Sequence, residues 1–204
     1  MHMTAATYDV LSDRLAPQGA LVWVQRAVMV VAGVAALALA AKANVYIWPS
    51  PVPITLGTFA VLSIGAAYGA RLGLVTILAY MAIGALGYDV FAGSSAEKNG
   101  IAYMLGGTGG YLLGYVLAVA ALGWAARRGW DRNVGLMALA MLAGNVLIYL
   151  PGVAWLAVLH LEAQGWETVL QWGLWPYLIG DGIKLAAAAL IFPALWRLVG
   201  EARG

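Results

Sequence analysis

"GLWPYLIGDGIKLAAAALIF", residues 173–192, decides the fold. The stretch has the length and apolar character of a bilayer-crossing helix, about 20 residues. Yet it holds Asp181 and Lys184 one helical turn apart. At helical spacing Tyr177, Asp181, Lys184 and Ala188 share one face. A charge within a membrane costs at least about 2.5–3.5 kcal/mol, so such residues turn toward a bundle interior or a cavity. Two readings follow. The pair is either an internal ion pair that locks helix packing, or a polar ligand site. In the second, Lys184 supplies ammonium donors and Asp181 accepts from ligand N–H groups. Apolar residues achieve packing at lower cost, which favours the ligand site.

The rest of the chain has the same character. Of its 204 residues 63% are hydrophobic and only 10% charged, where a soluble domain carries about a quarter charged. Mean hydropathy is +0.85. This predicts an all-α integral membrane protein. The sequence pI of about 8.9 does not argue for nucleic acid, because the basic residues are few and sorted by loop. With no cysteine and only His2 and His160, disulfides, thiolate metal sites and a histidine metal cluster are excluded.

Apolar stretches of spanning length lie near 20–42, 54–70, 71–92, 101–125, 134–159 and 171–198. They predict a six-helix membrane domain over 20–199 with short tails at 1–19 and 200–204. Only Gly69-Ala70-Arg71 separates the second and third spans, which therefore form a tight hairpin. Residues 1–19 lack the basic start of a secretory signal, and Ala20 to Ala41 is too long for a signal core despite the Ala41-Lys42-Ala43 that follows. Six spans put both termini on one face. Arg14, Arg26, Arg71, Arg127, Arg128, Arg132, Arg197 and Arg203 gather there, against Lys42 and Lys98 opposite. The positive-inside bias makes that face cytoplasmic. Trp23, Trp124, Trp130 and Trp196 edge it, while Trp48, Trp166, Trp172 and Trp175 edge the outer one. Asp181 and Lys184 then lie roughly 10–18 Å below the outer edge.

Three further stretches carry candidate function. "WPSPVPITLGTF", 48–59, has three prolines within five residues, which hold the chain extended. It is either a rigid connector or a lid over an outer pocket. In "YMLGGTGGYLLGY", 103–115, Gly106, Gly110, Gly114 and Ala118 recur at every fourth residue and give a smooth packing ridge. Tyr103 and Tyr111 there offer stacking faces and hydroxyls. Ala32, Ala36 and Ala40 form a small-residue stripe, for the protein's own bundle or for a partner. Catalysis finds little support, since there is no second catalytic group at depth beside Asp181, and no nucleotide-binding loop occurs.

These segments carry a resemblance. "SPVPITLGTF", "YGARLG", "GALGYDVFAG", "GGTGGYLLGY", "VAWLAVL" and "PYLIGDGIK" occur in the order seen in the BioY family, over about residues 30–195. Members are substrate-binding (S) components of energy-coupling factor transporters for biotin. The chain departs from the family pattern at Gly57, where Gln is usual, at Gly107, where Pro is usual, and at Asp89 in "GYDVFAG". Residues 93–101 are also slightly longer than usual.

The resemblance implies an S-component-like six-helix bundle in a bacterial inner membrane, with a biotin pocket near the outer face. The family's Asp-x-x-Lys falls on Asp181 and Lys184: Asp181 would accept from the ureido N–H groups, and Lys184 would donate to the carbonyl or carboxylate. Tyr111, Tyr177 and Trp175 would be apolar walls, Asn99 and Asn145 further polar contacts. Pro51, Val52, Pro53 and Thr55 would belong to the lid. A membrane coupling protein, contacted through Ala32, Ala36 and Ala40, and a pair of ATP-binding-cassette ATPases would supply energy. No cofactor of its own is implied, and a homo-oligomer is left open. Three other readings remain: an S component for another vitamin, an intramembrane enzyme using Asp181, and a structural or assembly subunit that no small molecule stabilises.

Overall fold

The apolar stretches become long helices. The computed structural model describes residues 8–14, 21–45 and 54–201. Its helices are α1 (Leu11–Arg14), α2 (Val22–Lys42), α3 (Gly57–Ala85), α4 (Gly100–Met104), α5 (Gly109–Ala126), α6 (Val134–Gly173) and α7 (Trp175–Glu201), with a 3-10 turn at Trp130–Arg132. A short antiparallel ribbon, β1 (Asn44–Val45) with β2 (Ile54–Thr55), sets Asn44 opposite Thr55. Four helical stretches, Val22–Lys42, Gly57–Ala85, Gly109–Ala126 and Val134–Gly200, are long and apolar enough to cross a membrane.

Two of the helices double back. In α3 the reversal falls at Gly69, whose φ of 74° is a region that glycine adopts without a steric penalty. A Cβ added to Gly73 would stand 3.6 Å from Gly65 Cα, although residues eight apart on a straight helix are about 12 Å apart. In α6 the reversal falls at Gly165, φ 75°. Gly173 then lies against the side chains of Leu156 and Val153.

The central helix is α5, flanked by α3 and α6. Its small residues permit close approach: a Cβ on Gly114 would lie 2.6 Å from Ile148 Cα, and one on Gly110 would lie 2.2 Å from the Pro151 carbonyl oxygen. Gly106 is not part of that ridge, contrary to expectation. The expected helix over 101–125 is interrupted, and α5 begins only at Gly109. Adjacent Gly106 and Gly107 lose too much backbone freedom to continue a helix. The resulting turn instead offers the Gly106 carbonyl to the Trp155 indole at 3.0 Å.

Exposed apolar side chains such as Val31, Leu78, Leu113, Leu142, Ile179 and Leu190 run along the helices. Such a surface suits lipid rather than water. Apart from Lys184–Asp181, the ion pairs among the described residues lie at the ends. At one end Arg127 Nη1 meets Asp13 Oδ2 at 2.6 Å, fastening residues 8–14 to the end of α5. At the other, Lys42 meets Asp89 at 2.5 Å.

Candidate functional site

Helix periodicity turns Tyr177, Asp181 and Ala188 inward together, at 6%, 5% and 0% exposure. Between this face of α7 and helices α3, α5 and α6, beside the ribbon, lies a cavity of about 70 Å³. Its walls are aromatic: Phe91 and the tyrosines 80, 103, 111, 115, 149 and 177. Several tyrosine hydroxyls are anchored on backbone, which leaves the rings to shape the walls. Tyr80 donates to the Val90 carbonyl (3.0 Å), Tyr111 to Gly173 (2.8 Å) and Tyr177 to Trp172 (2.8 Å). Phe91 stacks on Tyr103 with centroids 5.2 Å apart and meets Tyr80 edge-on.

One end of the cavity is polar. Lys184 Nζ donates to Asp181 Oδ1 (2.9 Å), to the Thr55 carbonyl (2.6 Å) and to Thr58 Oγ1 (3.1 Å). These contacts use all three ammonium donors. Thr58 also donates to Asp181 Oδ1 at 3.3 Å, and the Tyr149 hydroxyl donates to Oδ2. The side chains of Lys184 and Asp181 are only 14% and 6% exposed, so both charges are paired out of water. Apolar walls around a few convergent polar groups characterise small-molecule sites. The volume is below the roughly 300–1,000 Å³ usual for such sites.

The structure assembles Asp181, Lys184, Thr55, Tyr111 and Tyr177 around one cavity. Trp175 does not join them. It lies two residues before Tyr177, about 200° around the helix, and is 56% exposed. Asn99 is also elsewhere: its amide donates to the carbonyls of Ser95 and Ala96, both at 3.0 Å, bracing its own loop. Asn145 lines a second cavity of about 520 Å³ between α6 and α7, on the other side of Tyr149 and Asp181. Pro51, Val52 and Pro53 lie outside the described residues. Sequence reasoning missed Thr58, Tyr80, Tyr115 and Tyr149. Tyr149 and Tyr115 each fall four residues after a candidate, Asn145 and Tyr111, on one helix face, and Thr58 lies within the proline-rich stretch 48–59.

Ala32 and Ala36 are exposed and Ala40 half-buried. The neighbouring row, Gly33, Leu37 and Ala41, faces the bundle instead, and a Cβ on Gly33 would meet Thr76 at 2.6 Å. Internal packing therefore uses the second row and leaves the alanine stripe outside.

A family model described as the BioY family matches residues 10–201. The chain belongs to the BioY family. It is 40% identical over 143 residues to a probable biotin transporter BioY of Pyrococcus horikoshii, covering 69% of this chain and 78% of that one. It is 32% identical over 151 residues to the biotin transporter BioY of Thermotoga maritima, covering 74% and 85%. A crystal structure of the S-component for biotin from an ECF-type ABC transporter superposes with a TM-score of 0.72 at 21% identity, covering 89% of this chain and 95% of that one. The relatives named here are transporter components, not enzymes.

The departures from the BioY pattern have local accounts. Asp89 takes both the Lys42 ammonium and the Ser94 hydroxyl, each at 2.5 Å, tying the end of α2 to the loop after α3. A side chain at Gly57 would start 2.9 Å from Thr55 Oγ1 and 3.2 Å from the Tyr115 hydroxyl, both of which border the cavity. At Gly107 the nearest atom to an added Cβ is 3.4 Å away, ordinary contact.

Proposed function

We propose that this chain is the biotin-binding S component of an ATP-driven vitamin importer of the energy-coupling factor type. The observation that carries this reading is the buried Asp181–Lys184 pair at the polar end of an aromatic cavity. Biotin has a ureido group with two N–H donors and one carbonyl, an apolar bicycle and a carboxylate tail. Asp181 suits the ureido N–H groups, Lys184 suits an acceptor oxygen, and the tyrosine faces suit the bicycle. The match to BioY relatives along most of the chain supports biotin over another vitamin.

In this reading the doubled helices give six crossings, near 22–42, 57–68, 70–85, 109–126, 134–164 and 175–201, with both termini in the cytoplasm of a bacterial cell. The basic residues clustered at one end support that orientation. Of the lid residues expected, Pro51, Val52 and Pro53 lie outside the described residues, and Thr55, whose carbonyl accepts from Lys184 at 2.6 Å, supports a lid role beside the site. Ala32, Ala36 and Ala40 meet the membrane coupling protein, which the ATPases drive.

Native mass spectrometry of the detergent-purified chain tests the function. One biotin per chain, exchangeable with labelled biotin, is the expected result. A folded protein that stays empty when biotin is added would sink the reading and turn the search to other vitamins.

A further inference from the structure

We propose that the end of the bundle opposite the aromatic cavity holds a second binding site, for the phosphate headgroup of an anionic phospholipid. The site is a cleft of about 340 Å³ lined by Arg14, Arg132, Pro193, Trp196, Arg197 and Val199. Residues 8–14, the turn Trp130–Arg132 and the end of α7 meet there. Trp196 follows Asp181 by about 22 Å along α7, which puts the cleft at the far membrane boundary from the cavity.

The arginines are held rather than merely near. The Arg132 guanidinium lies 4.1 Å from the ring centre of Trp196 and 4.7 Å from that of Tyr8, and Nη2 donates to the Asp9 carbonyl at 3.1 Å. Its Nε is buried with no hydrogen-bond acceptor. Arg14 Nε pairs with Asp9 Oδ2 at 3.0 Å. Arg197, on the last turns of α7, is exposed at the cleft. The other nearby acid, Asp131, is 1% exposed and accepts from the Trp196 indole at 2.5 Å. Three guanidiniums line the cleft, Asp9 and Asp131 beside them are already engaged, and the buried Arg132 Nε has no acceptor. Arginine's planar fork suits phosphate oxygens.

The walls favour a lipid over a soluble anion. Pro193 and Val199 form apolar edges, and Leu195 and Leu198 beside them are 38% and 62% exposed. A phosphodiester lodged among the arginines thus leaves its glycerol and acyl chains against apolar surface. Basic pockets between helices at a membrane face bind anionic headgroups in this manner.

The test offers the intact chain an equal mixture of phosphatidylglycerol and phosphatidylcholine with the same acyl chains, and weighs the retained lipids by native mass spectrometry. The wild type should retain phosphatidylglycerol about fivefold over phosphatidylcholine, the selectivity expected of one well-placed arginine. Arg132→Gln and Arg197→Gln should each bring the ratio close to one. Arg71→Gln, an exposed change at the turn of α3, should leave it unchanged. Arg132 also braces the N-terminal segment, so Arg197→Gln carries the test should the other variant unfold. A wild type without headgroup preference overturns the proposal, as does a preference that survives in folded Arg197→Gln. Retention of inorganic phosphate but not phosphatidylglycerol by lipid-stripped protein would make the site one for a soluble anion.

Discussion

Tyr149 on α6 donates its phenolic hydrogen to Oδ2 of Asp181 on α7, the carboxylate oxygen opposite the one that Lys184 engages. The carboxylate is thereby held from both sides, and the contact separates two cavities that share only these two residues. Oδ1 takes two donors, from Lys184 and Thr58, and Oδ2 takes one, so an acceptor position on Oδ2 is left for a ligand N–H group.

Asp181→Asn and Lys184→Ala should each weaken biotin binding at least tenfold, about 1.4 kcal/mol or more. Isothermal titration calorimetry on monodisperse protein reads this directly. Lys184→Ala also leaves a buried carboxylate without its cation, so its melting temperature should fall as well. Unchanged affinity in folded variants would return the pair to a packing role.

Tyr149→Phe keeps the ring and removes one donor to Asp181. A single hydrogen bond nets about 0.5–1.5 kcal/mol, so biotin affinity should drop about two- to tenfold with the fold intact. An affinity equal to wild type would limit Tyr149 to being a wall between the cavities.

Ala36→Trp places a bulky ring on the outward row of α2, away from Gly33, Leu37 and Ala41. Biotin binding to the purified chain should be unchanged, while biotin uptake by cells supplying the coupling protein and ATPases should be lost. Normal uptake would remove the stripe from the partner contact.

Asp131, in the turn between α5 and α6, has its carboxyl pushed up to about 6 by burial, against the opposing pull of the Trp196 indole and Arg132. A pKa raised on folding means the folded state holds the proton more tightly. Its contribution to stability is therefore fully present below the ordinary Asp value, near 3.9, and is lost as pH rises through about 6. Asp131→Asn should flatten this component. Melting temperatures of wild type and variant across pH 4–8 should diverge as pH rises, with the variant the more stable above pH 6. Parallel curves would show that Asp131 is solvated.

Much of this protein was legible because the informative relationships are local in sequence. Composition and run length expose the spanning helices, and Gly69 marks the reversal in α3. Helical spacing puts Tyr177, Asp181 and Lys184 on one face. The same periodicity, applied to Trp175, would have turned it away from that face. The break before Gly109 was harder to read, since glycines every fourth residue suit a helical ridge as well as they suit a turn.

What the sequence determined by itself was a chain of membrane-spanning helices with its positive charge sorted to one end and an Asp-x-x-Lys pair at depth. The helices and the pair follow from residues within a few turns of one another, and the charge sorting from counting arginines connection by connection. The partners of that pair were decided only by tertiary structure. Tyr149 stands 32 residues from Asp181, Thr58 stands 123 from it, and Thr55 stands 129 from Lys184. They converge because small residues such as Gly110 and Gly114 let α5 approach α6 backbone to backbone, and because α3 and α6 reverse at glycines. No pattern along one helix encodes which face another helix will present to it.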